Sequence, residues 1–66
     1  MPDLQSIGAK IALARKSAKL SQKALAKKIG TAQCLIAEYE LGKRSMTVVR
    51  LLEISKVLGI DAAKLM

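Results

Sequence analysis

Apolar residues recur along the chain at helical spacing, and no stretch alternates between apolar and polar residues as a β-strand does. Asp3 is suited to cap a first helix, which we expect to end near Ala18. Its core-facing side is expected to carry the apolar residues three and four apart, which are Leu4, Ile7, Ile11, Ala14 and Ala18.

Two short helices are predicted next. Ser21 is a suitable N-cap for the second helix, and Gly30 is suited to end it because glycine readily takes the left-handed conformation of a helix C-cap. The third helix is expected from about residue 32 to residue 40, with Gly42 near its end.

The last third of the chain predicts two more helical segments. Thr47 is a suitable N-cap for a fourth helix that ends at Gly59, and Asp61 caps a last turn carrying Leu65 and Met66. The pattern therefore predicts an all-α fold of five helices in one domain, residues 1–66, without repeats or linkers. The inward face of the fourth helix is expected to comprise Val48, Leu51, Leu52, Ser55 and Leu58.

Charge and composition narrow the classes of function. Twelve Lys and Arg residues against five Asp and Glu give a net charge of +7, which attracts polyanions. Tyr39 is the sole aromatic residue, which argues against a stacking platform for single-stranded nucleic acid. With no histidine and one cysteine, Cys34, we expect no disulfide, no zinc site and no other cofactor or small-molecule ligand.

Neither a signal peptide nor a membrane span is indicated, because the N-terminus lacks an apolar run and no apolar stretch approaches the ~20 residues that a span needs. We therefore expect a cytoplasmic protein.

Residues 22–41 have the arrangement of a helix-turn-helix, with two short helices joined by a tight turn at Gly30. Ala26 lacks bulk and lets the third helix cross closely. Ile36 and Tyr39 are three residues apart and define the buried side of the third helix.

An ordered set of residues around this motif carries a further resemblance: Leu20-Ser21-Gln22, Leu25-Ala26, Gly30, Gln33, Ile36, Tyr39-Glu40, Gly42-Lys43-Arg44 and Leu58-Gly59. Over nearly its full length the chain resembles the Cro/repressor-type (Xre-like, lambda-repressor-like) helix-turn-helix family. The resemblance implies a compact five-helix domain that binds double-stranded DNA, usually as a dimer on inverted-repeat operators.

Helical geometry predicts which side chains of the third helix face the major groove. Gln33 projects from its exposed N-terminal end, where an amide can pair with adenine N6 and N7, and matching family positions also contact bases. Cys34 and Ala37 point away from the buried side and offer apolar contacts to a thymine methyl group. Glu38 either accepts from a cytosine amino group, pairs with a nearby Lys or Arg, or is a solvated charge; we favour the pair over the base contact.

Further contacts with DNA are expected at both ends of the motif. Gln22 begins the second helix, where free backbone N–H groups suit a phosphate. The resemblance gives this glutamine a phosphate contact and a role in holding the base-contacting glutamine. Lys43 and Arg44 are expected to contact the DNA backbone. The expected set is completed by Lys23, Thr31, Ala32 and Leu35.

Two of these positions depart from the family pattern. Ala32 stands where the family commonly has a capping Ser or Thr, so either Thr31 caps one residue early or the helix start is weaker. Leu35 stands where a small polar residue is usual, and its contact is either with the core or with DNA.

A structural ion pair is expected beside the motif. Arg15 falls within the core-facing arc of the first helix, where an unpaired guanidinium would be costly. Glu40 lies on the inward edge of the third helix, and the resemblance places matching residues in a salt bridge. We therefore expect Arg15 and Glu40 to pair.

A homodimer is expected because one helix in one major groove contacts too few base pairs to specify a site. The second and third helices face DNA, so the dimer contact is expected at the C-terminal helices. Leu13 on the first helix is the competing site. The apolar residues expected in the contact are Val49, Ile60, Leu65 and Met66.

These observations predict a sequence-specific transcriptional regulator, and most simply a repressor. The alternatives are an antitoxin or a restriction–modification controller, which would bind both its own operator and a protein partner, and a non-specific nucleoid-type protein. Catalysis is disfavoured, because the chain has no histidine, no paired carboxylates on one face and no phosphate-binding glycine-rich loop.

Overall fold

The computed structural model describes residues 3–65, which form four α-helices and one short 3₁₀ turn. The helices are α1 (Leu4–Ser17), α2 (Gln22–Ile29), α3 (Gln33–Leu41) and α4 (Val48–Leu58), and the 3₁₀ turn is Ala62–Leu65. The fifth predicted helical segment is present, but as a 3₁₀ turn and not as an α-helix. It has four residues and is closed by an i to i+3 bond, from Lys64 N–H to the Asp61 carbonyl oxygen (2.9 Å).

The predicted N-caps of three helices are confirmed. Asp3 Oδ1 accepts from the backbone N–H of Ser6 (2.6 Å), and Ser21 Oγ accepts from that of Ala24 (3.0 Å). Thr47 Oγ1 accepts from the backbone N–H of residue 50 in the same way (3.1 Å). Each cap satisfies one of the N–H groups that lack a partner in the first turn of a helix.

A single apolar core joins all the elements. α1 packs chiefly against α3, α2 packs against both α3 and α4, and the 3₁₀ turn lies against α1 and α4. The buried apolar residues are Ile11, Leu25, Ala26, Ile36, Tyr39, Leu51, Ile54, Leu58 and Leu65.

The inward face of α4 differs from the predicted one. Val48 and Leu52 are exposed, whereas Ile54 is completely buried. Leu51, Ile54 and Leu58 follow one another at three- and four-residue spacing and form a stripe of their own. Leu52 lies about 100° around the helix from Leu51, and this rotation carries it to the solvent side.

α1 and α3 approach closely at Gly8, to which the sequence pattern assigned no role. A Cβ atom at this position would lie 2.3 Å from the carbonyl oxygen of Tyr39 and 2.6 Å from that of Glu40. Only glycine therefore allows the two helix backbones to cross at this distance. The crossing fixes the position of α3 relative to α1.

Candidate nucleic-acid interface

The turn between α2 and α3 is formed as predicted at Gly30, which takes the left-handed conformation (φ 74°, ψ 36°). The N–H of Thr31 donates to the carbonyl oxygen of Ala26 (2.9 Å) and closes the end of α2. α3 begins at Gln33 with Ala32 as its N-cap, and no side chain caps it. Thr31 therefore does not cap α3, and the alternative of a weaker helix start is the one that the structure supports.

One side of α3 is fixed to the core and the opposite side faces solvent. Ile36 and Tyr39 are buried, as predicted. Gln33 and Cys34 are exposed at the N-terminal end of the helix, and Ala37 is partly exposed one turn further on. All three lie away from the side of α3 that packs against the core.

Three further residues expected to contact DNA are Leu35 on α3 and two lysines outside that helix. Leu35 is partly buried. Of the two contacts expected for it, with the core or with DNA, the structure shows the one with the core. Lys23 on α2 and Lys43 after α3 are both exposed.

Glu38 forms an ion pair on the solvent side of α3. Arg44 Nε donates to Glu38 Oε2 (2.6 Å), as the pairing alternative predicts. Gly42 makes this possible by taking the left-handed conformation (φ 73°), and the N–H of Lys43 then donates to the Glu38 carbonyl oxygen (2.9 Å). The hydrogen bond to Glu38, followed by the charge of its carboxylate, raises the pKa of Arg44.

Glu40 forms the second ion pair, with Arg15 on the inner side of α3. Arg15 Nε donates to Glu40 Oε2 (2.6 Å), and Arg15 Nη2 donates to Glu40 Oε1 (3.2 Å). Arg15 Nη1 also donates to the carbonyl oxygen of Leu20 in the turn between α1 and α2 (2.7 Å). The predicted pair is thus present, and it joins α1, α3 and the start of the helix-turn-helix.

Gln22 is part of the same network. Its Nε2 donates to Glu40 Oε1 (2.9 Å). Within residues 3–65 no hydrogen bond joins Gln22 to Gln33, so the partner implied by the family resemblance is replaced here by Glu40. The effect is to fix the Gln22 side chain at the exposed N-terminus of α2.

Arg50 has a structural role that the sequence pattern does not predict. Its Nη1 lies 3.4 Å from the carbonyl oxygen of Ile29 at the C-terminus of α2, and 3.7 Å from Glu53 Oε1. A guanidinium at this place satisfies a helix-end carbonyl and complements the helix dipole. Arg50 and Ile29 are 21 residues apart in sequence, so no local pattern predicts their contact.

The predicted dimer residues fall in different environments. Leu65 is only 1% exposed and belongs to the core, because the 3₁₀ turn folds it against α1 and α4. Its assignment to the dimer surface is therefore wrong. Ile60 is partly buried against the core, and Met66 lies outside the described residues.

Val49 is exposed as predicted and has two exposed apolar neighbours on α4. Val48, Val49 and Leu52 expose 71%, 68% and 51% of their surface, and we call these three residues the α4 patch. The competing residue Leu13 is also exposed.

Residues 3–65 contain neither a metal-binding cluster nor a membrane-spanning helix. No group of three or more Cys, Asp or Glu side chains there could hold a metal ion. None of the helices in that range has the length and apolar character needed to cross a membrane.

The sequence profile of the helix-turn-helix family HTH_3 matches residues 11–65. No curated protein sequence matches the chain. Among solved structures the chain is similar to the restriction-modification controller protein C.AhdI from Aeromonas hydrophila, with a TM-score of 0.90, 27% identity and 96% of each chain covered. It is also similar to the DNA-binding domain of BldD from S. venezulae, with a TM-score of 0.85, 28% identity, and 96% of this chain and 94% of that chain covered.

A third similarity is to hydroxypropylphosphonic acid epoxidase from S. wedmorenis. The TM-score is 0.91 at 24% identity, over 98% of this chain and 35% of that chain. At this identity the likeness shows the shared fold alone.

Proposed function

Because the chain belongs to the HTH_3 helix-turn-helix family, we propose that it is a transcriptional regulator that binds a specific site on double-stranded DNA, with α3 in the major groove. The observation that carries this proposal is the orientation of α3. Ile36 and Tyr39 fix one side of the helix to the core, and Gln33 and Cys34 occupy the exposed side. The net charge of +7 supports binding to a polyanion.

The contacts divide into those with bases and those with phosphates. Gln33 pairs with an adenine, and Cys34 and Ala37 contact thymine methyl groups. Lys23 and Lys43 contact phosphates, which positions the domain without reading sequence. Further contacts with DNA are proposed for Gln22 at the N-terminus of α2, for Thr31 and Ala32 just before α3, and for Arg44 just after α3.

The protein acts as a homodimer through the α4 patch, on a site with inverted symmetry. Two copies double the number of base pairs read, with half-sites about 34 Å apart along the DNA. The α4 patch is supported as the contact because its three apolar side chains are exposed together and belong to neither α2 nor α3. Such a dimer blocks a promoter by occupying it, which makes repression the simplest mode of regulation.

A second candidate is a restriction–modification controller that regulates its own operon. The similarity to C.AhdI supports it, because that protein and this chain cover 96% of each other. The genes beside the bound site distinguish the two candidates. A site upstream of adjoining methyltransferase and endonuclease genes supports the controller, whereas unrelated genes there support a general regulator.

The specificity of binding is tested by selection from a pool of random DNA duplexes at fixed salt. We expect enrichment of an inverted repeat whose half-sites are about 10 base pairs apart, centre to centre. Gln33→Ala should lose the preference at one base pair in each half-site. A protein that binds the selected and scrambled duplexes equally is a non-specific binder, and the proposal is then wrong.

The dimer is tested by sedimentation at micromolar concentration. The wild-type protein should sediment as a species of twice the 7.1 kDa mass, and Leu52→Asp should shift it to the monomer. Leu13→Asp is the matched control, because it places the same charge at an exposed leucine on α1. Dissociation by the control and not by Leu52→Asp would move the dimer contact to α1.

A further inference from the structure

Glu38 and Arg44 pair with each other, and the proposed function also brings both residues close to DNA. Glu38 is on the solvent side of α3, which the proposed function places in a DNA groove between two rows of phosphates. A carboxylate there opposes binding by electrostatic repulsion unless a donor compensates it. In the free protein that donor is Arg44, 2.6 Å away.

The local fold brings this arginine back over α3. The two residues are six apart, too far for a pair within one regular helix, where partners are three or four apart. The left-handed Gly42 ends α3, and the N–H of Lys43 returns to the Glu38 carbonyl oxygen (2.9 Å). The chain therefore turns back on the helix, and the Arg44 guanidinium reaches the Glu38 carboxylate. The pair is a product of this turn.

The pair stays accessible to DNA. The Arg44 and Glu38 side chains are 55% and 39% exposed. While Arg44 neutralises Glu38, its charge is not available to a phosphate. A cytosine amino group in the major groove is a suitable alternative donor for a glutamate.

We propose that Glu38 is a specificity-determining residue that keeps Arg44 away from the phosphates of non-cognate DNA. On a cognate site, Glu38 accepts from a cytosine amino group and Arg44 moves to a phosphate. On other DNA, Glu38 finds no donor and retains Arg44, so one phosphate contact is lost. The inference rests on the proposed function and adds a determinant of specificity to it.

The test compares the selected duplex with a scrambled duplex of the same length and composition over a series of salt concentrations. The proteins are the wild type, Glu38→Gln, Arg44→Gln and the double variant. In Glu38→Gln, the released Arg44 should bind a phosphate on scrambled DNA. We expect the slope of log K against log [salt] on that DNA to steepen by about 0.9. The ratio of selected to scrambled affinity should fall roughly fivefold or more.

The Arg44→Gln background separates release of the arginine from simple loss of a negative charge. There, no arginine is released, so Glu38→Gln removes only the repulsion of the carboxylate and should steepen the slope on scrambled DNA clearly less than it does in the wild-type background. An equal steepening in both backgrounds would mean that Glu38 acts by repulsion alone, and this would overturn the inference. Glu53→Gln is the matched control, because it changes the net charge equally on α4 and should leave the affinity ratio unchanged.

Failure of the inference is distinguishable from failure of the proposed function. A wild-type protein that binds both duplexes equally would contradict the function and the inference together. If the wild type discriminates, Gln33→Ala loses the preference at one base pair in each half-site and Glu38→Gln keeps the full ratio of selected to scrambled affinity, then the inference alone is wrong. Thermal unfolding of each variant verifies that the compared proteins are folded.

Discussion

α3 carries two glutamates two residues apart, Glu38 and Glu40, and each accepts from an arginine Nε at 2.6 Å. The two pairs lie on different sides of the helix. Glu40 and Arg15 expose 7% and 10% of their side chains, whereas Glu38 and Arg44 expose several times as much. Two arginine–glutamate pairs with the same Nε–Oε2 distance therefore lie in two different environments.

The contrast shows that the surroundings of an ion pair decide its role. Water solvates the charges of Glu38 and Arg44 whether or not they meet, so the pair adds little to stability and can be exchanged for DNA contacts. Removing one member of the Arg15–Glu40 pair would leave a charge buried without its partner. The inner pair is consequently structural, and the outer pair is available for recognition.

The largest expected effect comes from breaking the inner pair. Glu40→Ala should lower the free energy of unfolding by about 3–5 kcal/mol, because it leaves the buried Arg15 guanidinium without its carboxylate. Urea denaturation measures the loss. Arg15→Met together with Glu40→Ala should cost less than the sum of the two single changes, since no lone charge remains buried. Simple additivity would show that the two residues do not act as a pair.

A second change tests how closely the inner side of α3 is packed. Gly8→Ala should lower the free energy of unfolding by about 1–3 kcal/mol, because its Cβ would overlap the carbonyl oxygens of α3. Helix propensity alone predicts the opposite, a gain of about 1 kcal/mol. Ala9→Gly on the exposed side of α1 measures that propensity as a control. A more stable Gly8→Ala protein would contradict the close crossing.

The outer side of α3 should affect binding and leave folding intact. Gln33→Ala should cost about 1–3 kcal/mol of binding free energy on the selected duplex and relax the preference at one base pair. Lys43→Ala is the contrasting change: it should weaken binding to selected and scrambled duplexes alike and reduce the salt slope by about one. Unchanged preference in Gln33→Ala would mean that α3 is oriented differently on DNA.

Breaking the outer pair should have the smallest effect on stability. Glu38→Ala should leave the midpoint of urea denaturation at the wild-type value, because the side chains of both Glu38 and Arg44 are exposed to solvent. Glu40→Ala, measured in the same experiment, provides the scale. A comparable loss of stability in both variants would show that exposure does not separate the roles of the two pairs.

Much of the fold was predictable from local signals. The caps Asp3, Ser21 and Thr47 and the turn at Gly30 were found from sequence because each acts on backbone groups within a few residues of itself. The buried side of α3 was also predictable, since the spacing of Ile36 and Tyr39 defines it without reference to other helices.

Local sequence signals are thus sufficient to predict an all-α chain with a helix-turn-helix, the outward side of α3 and the need for a partner for Arg15. Packing between distant elements is what places Gly8 at a helix crossing and Arg50 at the end of α2, and what buries Leu65 while it leaves Leu52 exposed. Caps and helical periodicity depend on neighbours in sequence. Whether an apolar or charged side chain is covered depends on which distant element packs over it, and no local pattern contains that information.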